Sequence, residues 1–233
     1  MSAALHGMGA RPQRAAMGDD GVHDGGSGLG RRAGAPLAVR KVGLWVFMAV
    51  VTALFMLFGI AYLMRMAAGD WRALPVVPWQ LWLSTGLLAL ASAAWEVARR
   101  FAARGRAAAM RQAGLAACIL SLAFLAVQWW AWLAMTAMHY RVDGNPANSF
   151  FYLLTGLHGL HVIGGLVAAA WAGAGLARRD GAVRLSETMA LCAQYWHYLF
   201  ALWLLLFALL FYVTPELVQV VCESVGIAPP QAR

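Results

Sequence analysis

Charged side chains are scarce in this chain. Asp, Glu, Lys and Arg make up only 12% of its 233 residues, and just 10 of them are acidic. Soluble domains carry about a quarter charged residues, so the composition argues against a water-soluble globular enzyme. It argues equally against a disordered chain, because 62% of the residues are hydrophobic. Cysteine is scarce too. Cys118, Cys192 and Cys222 stand far apart, with no CxxC and no paired-cysteine spacing for copper or zinc. The first 40 residues are rich in Gly, Ala and Arg and have no apolar run, so they lack the hydrophobic middle of a signal peptide. No internal repeat is evident, which weakens an inverted-repeat transporter reading.

What the chain does have is apolar length. Residues 42–64, 73–95, 112–140, 144–177 and 188–215 contain no Asp, Glu, Lys or Arg. About 20 apolar residues at 1.5 Å rise cross a bilayer, and in lipid such segments must be helical to satisfy their backbone. Trimmed at their charged or proline ends, the expected helices are 43–65, 78–98, 112–138, 149–176 and 188–212. The fold class is therefore an all-α integral membrane protein with five transmembrane helices. Residues 1–41 read as a disordered basic tail, 42–213 as the membrane bundle and 214–233 as an external tail. In that tail Leu217, Val220, Val221 and Val225 form one face of a short interfacial helix.

The +8 charge has a topological explanation. Fourteen of the 18 basic residues lie in the N-terminal segment, the second connection and the fourth connection. With five spans these share one side, so the positive-inside rule puts the N-terminus in the cytoplasm and the C-terminus outside, in the periplasm. No basic patch sits on a soluble domain, so nucleic acid is not an expected partner.

Ionisable groups inside spans are costly and usually face the bundle interior. The fourth span carries His158 and His161, and Thr155, His158, Val162, Gly165 and Ala169 share one of its faces. Gly165, Ala169 and Gly173 would let a neighbouring backbone approach. The fifth carries Glu187, Ala190, Gln194, His197 and Ala201 on one continuous face. Antiparallel neighbours at these positions leave His161 and His197 roughly 7 to 8 Å apart in height. Long side chains or a water could bridge that gap. Three uses remain open: a hydrogen-bond clasp between the fourth and fifth helices, a haem ligand pair, or a lipid-headgroup or proton-related role. Glu96 and Arg100 have the favourable order for a helix-face ion pair. Gln128 is the one amide in the third span, with Trp129, Trp130 and Trp132 around it.

The residues also carry a family resemblance. The run from Phe150 to Val162, with Thr155-Gly156-Leu157-His158-Gly159-Leu160-His161 at its centre, resembles the signature of subunit III of haem-copper respiratory oxidases. The run from Glu187 to Trp203, centred on Tyr195-Trp196-His197-Tyr198, resembles the same family's final helix. Leu83 to Leu88 with Ser92, together with Trp45-Val46-Phe47 and Ala61-Tyr62-Leu63, resemble its earlier helices. Five helices match the short bacterial form in a cytoplasmic (inner) membrane.

The resemblance implies an accessory subunit without redox centres, so neither metal ligands nor catalytic residues are expected. Haem and copper would sit in the catalytic subunit I. That subunit, and subunit II with it, would be partners. Phospholipid would be held in a cleft between the first two helices and the rest. Thr155, Gly156, His158, His161, Glu187, Trp196 and His197 are the matching positions. Val51, Ala131 and Phe200 stand where the family places carboxylates. A nitric oxide reductase subunit or, less favoured, a small cytochrome b are the alternatives.

Overall fold

The computed structural model describes residues 27–66, 71, 77–140, 145–179, 182–214 and 217–218. They form five long helices: α1 Ser27–Met66, α2 Trp79–Ala103, α3 Ala107–Ala137, α4 Pro146–Arg179 and α5 Ala182–Phe211. Each holds a segment long and apolar enough to cross a membrane, namely Ala38–Met66, Trp79–Ala103, Ala107–Ala137, Pro146–Ala174 and Leu185–Phe211. The chain divides into two units, Met1–Arg40 and Lys41–Arg233, with the boundary inside α1. Of the N-terminal stretch read as a tail, residues 27–40 are helical and residues 1–26 lie outside the described residues. Of the proposed C-terminal helix, Leu217 is helical while Val220, Val221 and Val225 lie outside them.

The helices overrun the sequence-derived limits mainly at their arginine-bearing ends: α1, α3 and α5 begin earlier, and α2 and α4 end later. Charge ends an apolar span but not a helix, because a long arginine stem lies along the apolar surface while its head reaches water. The α2–α3 connection shows how the chain turns. Gly105 takes φ 68°, its N–H bonds Ala102 O at 3.1 Å, and the N–H of Arg106 bonds Phe101 O at 3.0 Å. This left-handed glycine stops α2 and sends α3 straight back along it.

Side-chain pairs fix the directions within the second unit. α5 runs antiparallel to α2 (Trp82 on Phe207, Thr85 on Trp203, Ser92 on His197). It is parallel to α3 (Ser121 on Trp196, Phe124 on Trp203) and antiparallel to α4 (Phe151 on Phe211, His158 on Trp203). It is also parallel to α1, through Thr52 on Tyr198 and Gly59 near Leu209. Every other described helix thus touches α5.

α1 is held differently from the rest. It is the most apolar span and the least covered. Only one seam, Met48, Val51, Phe55, Tyr62 and Met66, is buried, at spacings of three, four and seven. Val46, Val50, Leu54, Leu57, Ile60 and Met64 are exposed, so most of its circumference suits lipid.

On α4 the expected face is buried: Thr155, His158, Val162 and Ala169 are all enclosed. Gly165 serves a different purpose from the one expected. A Cβ there would lie 2.6 Å from Tyr195 Cε1, so the missing side chain makes room for a ring rather than a backbone. Gly173 has nothing within 4 Å. We expect Gly165→Ala to lower the detergent melting temperature, with a cost of about 1–3 kcal/mol for overpacking against Tyr195. Gly164→Ala, where a Cβ meets open space, should leave it unchanged.

Candidate functional site

Four consecutive residues of α5 reach four different helices. Tyr195 donates its hydroxyl to His161 O of α4 at 3.0 Å. Trp196 donates its indole N–H to Ser121 Oγ of α3 at 2.8 Å. His197 Nδ1 shares a hydrogen bond with Ser92 Oγ of α2 at 2.5 Å. The Tyr198 hydroxyl lies 3.0 Å from Thr52 Oγ1 of α1 and donates to Met48 O at 3.2 Å. Successive helical residues are about 100° apart, so four in a row sweep the whole circumference. Each polar group finds a partner on a neighbour because hydrocarbon offers none.

The indoles share one device. Trp196 bonds Ser121, whose hydroxyl donates to Ala117 O at 2.8 Å. Trp203 bonds Thr85 at 2.8 Å, which donates to Leu81 O at 2.8 Å. Trp132 bonds Thr155 at 3.1 Å, which donates to Phe151 O at 2.6 Å. In each case a hydroxyl accepts from a partner helix and passes its own proton to the carbonyl one turn back. The group is satisfied in both directions.

The histidines do not pair as the sequence suggested. His161 Nδ1 bonds its own Leu157 O at 2.7 Å, and its ring packs on Phe47 and Phe55 of α1. His197 turns to α2, where Nε2 lies 3.8 Å from Glu96 Oε2. His158 is fully enclosed between Phe124 of α3 and Trp203 of α5. A His161–His197 clasp between α4 and α5 is thereby corrected: beyond the offset in height that a long side chain or a water would have to bridge, the two rings face different helices. Tyr195 and Gly165 form the α4 contact instead. The three imidazoles face three different sets of neighbours and offer no pair on opposite sides of one iron. Among the described residues no three His, Cys, Asp or Glu cluster as metal ligands.

Glu96 does pair with Arg100 (2.9 Å) and also with Arg99 (2.7 Å). Gly156 faces the Trp132 ring, 3.2 Å from where a Cβ would stand. Gln128 is buried, and neither of its amide atoms has a hydrogen-bond partner. Gln194 and Glu187 are half-buried, and Glu187 Oε2 is enclosed without a partner. Val51 and Ala131 are buried and Phe200 half-buried, so apolar side chains fill the three places where the resemblance expects carboxylates. Thr85 and Ser92 lie in the stretch that carries the family resemblance, but neither they nor Ser121 and Thr52 stand out in the sequence as hydrogen-bond partners. Their signal was a hydroxyl inside an apolar span, and it is a weak one, because such residues also cap their own helix carbonyls.

The model of one protein family, cytochrome c oxidase subunit III, matches residues 42–214, which include all of the packing described above. The chain belongs to the cytochrome c oxidase subunit III family. It is similar to the probable cytochrome c oxidase subunit 3 of Nocardia farcinica, with 28% identity over 167 residues, 67% of this chain and 79% of that one. The probable subunits 3 of Mycobacterium bovis and Mycobacterium leprae are 28% identical over 116 residues and 26% identical over 112. In each case the match covers 48% of this chain and 55% of the relative, so the chain spans about half the length of these mycobacterial relatives. Family and spans together make this a multi-pass membrane subunit III.

A double-mutant cycle of Trp196→Phe with Ser121→Ala measures one of the hydrogen-bond relays. We expect a coupling of about 0.6 kcal/mol, and at most about 1.7, the range for interhelical hydrogen bonds in membranes. Chemical or thermal unfolding in mild detergent reads it.

Proposed function

We propose that the chain is the accessory, non-redox subunit III of a terminal haem-copper oxidase in a bacterial cytoplasmic membrane, with its N-terminus in the cytoplasm and its C-terminus in the periplasm. It stabilises the catalytic subunit I, with subunit II in the same complex, while haem and copper stay in those partners. Because α2 packs directly on α5, the lipid expected in a cleft between the first two helices and the rest instead lines the exposed circumference of α1.

The observation that carries this reading is a polar edge left open at membrane depth. His197 sits near the middle of its span, yet its side chain is 50% exposed. Beside it lie Glu96, Arg99 and Arg100. Lipid tails cannot hydrogen-bond an imidazole, so such a group is expensive unless protein covers it. The surroundings suit a helix. On α5, Ala190, Gln194, His197 and Ala201 form a strip between the α1 and α2 contacts. On α2, Gly86, Ala89 and Ala93 continue it with small, open positions. Small residues let a second helix come close, and the polar groups give it something to bond.

Affinity purification of the full chain from its own membranes tests this. The wild type should bring down a haem-carrying catalytic subunit while binding no haem itself. Ala201→Phe and Ala93→Phe put bulk on the open edge and should cut the recovered haem about tenfold, the effect of an overpacking cost near 1.4 kcal/mol. Val50→Phe, on the exposed face of α1, should not. A wild-type chain that purifies alone, or carries its own Soret band, would overturn the reading.

A further inference from the structure

Two side chains at the centre of the bundle have polar atoms that no protein group satisfies. Both ring nitrogens of His158 and both amide atoms of Gln128 are buried without a hydrogen-bond partner. His158 has no exposed surface and Gln128 is 3% exposed. Neither residue lies at an edge that a partner subunit could cover, so the polar edge of α2 and α5 is not involved.

The helix register brings the two to one level. Phe124 of α3 packs edge-on against His158 of α4, with ring centroids 5.8 Å apart. Two turns further along α3, Trp132 bonds Thr155 and packs on Tyr152. Gln128 lies midway between Phe124 and Trp132 on the same face of α3. It is therefore level with the α4 turn from Thr155 to His158. Ala131, one turn away and fully buried, presents only a methyl there.

Nearby donors are already committed. The Trp132 indole proton goes to Thr155, the Thr155 proton to Phe151 O, and the Trp203 proton to Thr85. A neutral imidazole has one donor and one acceptor, and an amide has two donors and one acceptor oxygen. Left unpaired in an apolar interior these groups are costly, and native structures pair nearly all of them with protein or ordered water.

We propose that this is a built-in hydration site: ordered water bridges Gln128 and His158 inside the membrane span, enclosed by α3, α4 and α5. A single water joins one atom of each side chain. The two nitrogens of the ring point away from each other, so about two waters are needed to satisfy all four atoms. The water fixes the orientation of both side chains and adds a second tie between α3 and α4 beside the Trp132–Thr155 hydrogen bond.

Solid-state NMR of the full chain in lipid bilayers, with histidine labelled by nitrogen-15, reads this directly. Water-edited spectra should show transfer from bound water to the His158 ring nitrogens, the signal being assigned by its loss in His158→Phe. Gln128→Leu should abolish that transfer while leaving the His161 signal unchanged. If Gln128→Leu does not fold, Gln128→Met serves, and a map of the assembled complex that resolves ordered waters should show density between the two side chains. Absence of water transfer to His158 in the wild type, or a direct Gln128–His158 hydrogen bond, would overturn the proposal. Neither result bears on which subunits the chain joins.

Discussion

A donor buried in hydrocarbon needs an acceptor from the protein itself, and the packed core depends on how α5 finds its acceptors on the other helices. Tyr195, Trp196, His197 and Tyr198 project about 100° apart and find partners on α4, α3, α2 and α1 in turn. Between helices in lipid there is little hydrophobic driving force, since lipid tails are as apolar as leucine. Close packing and these few directional bonds have to define the arrangement. The fully buried indoles of Trp196 and Trp203 supply both at once, a large contact area and one well-placed proton each.

The same logic separates what was legible in the sequence from what was not. The five spans could be read because a bilayer imposes one length and one secondary structure. Their arginine ends were misjudged most, where helix outlasts hydrophobicity. The buried face of α4 was legible from Thr155, His158 and Val162, since period and polarity agree there. The partner of His197 was not. Spacing along a helix gives height, and polar faces on two antiparallel neighbours made His161 and His197 look bridgeable across their offset. Which neighbour a face meets is decided by the whole bundle. Here Tyr195 and Gly165 occupy the α4 side and turn His197 toward Ser92. The strip from Ala190 to Ala201 was correctly seen as polar and small, but it lies on the open edge rather than against α4.

An open polar edge and an almost bare α1 are costs for an isolated chain and assets for a subunit. α1 is tied in by one seam, by Tyr198 and by aromatic contacts to His161, Tyr195 and Phe150. Its remaining surface suits acyl chains. The edge formed by α2 and α5 suits protein instead. Apolar Val51, Ala131 and Phe200 remove the carboxylates that the family resemblance would place inside the membrane. The hydroxyl–indole relays tie helix to helix at three places inside the spans.

The account's central claim is that the azimuth of α5 residues 195–198 sets the bundle. Insertion of one alanine between Gln194 and Tyr195 tests it most directly, because it turns every following side chain by about 100° relative to the start of the helix. The measurement is the yield of folded chain extracted in mild detergent. The account predicts near-complete loss for this insertion and little loss for an alanine inserted between Lys41 and Val42, ahead of the α1 seam. Equal yields from the two insertions would contradict it.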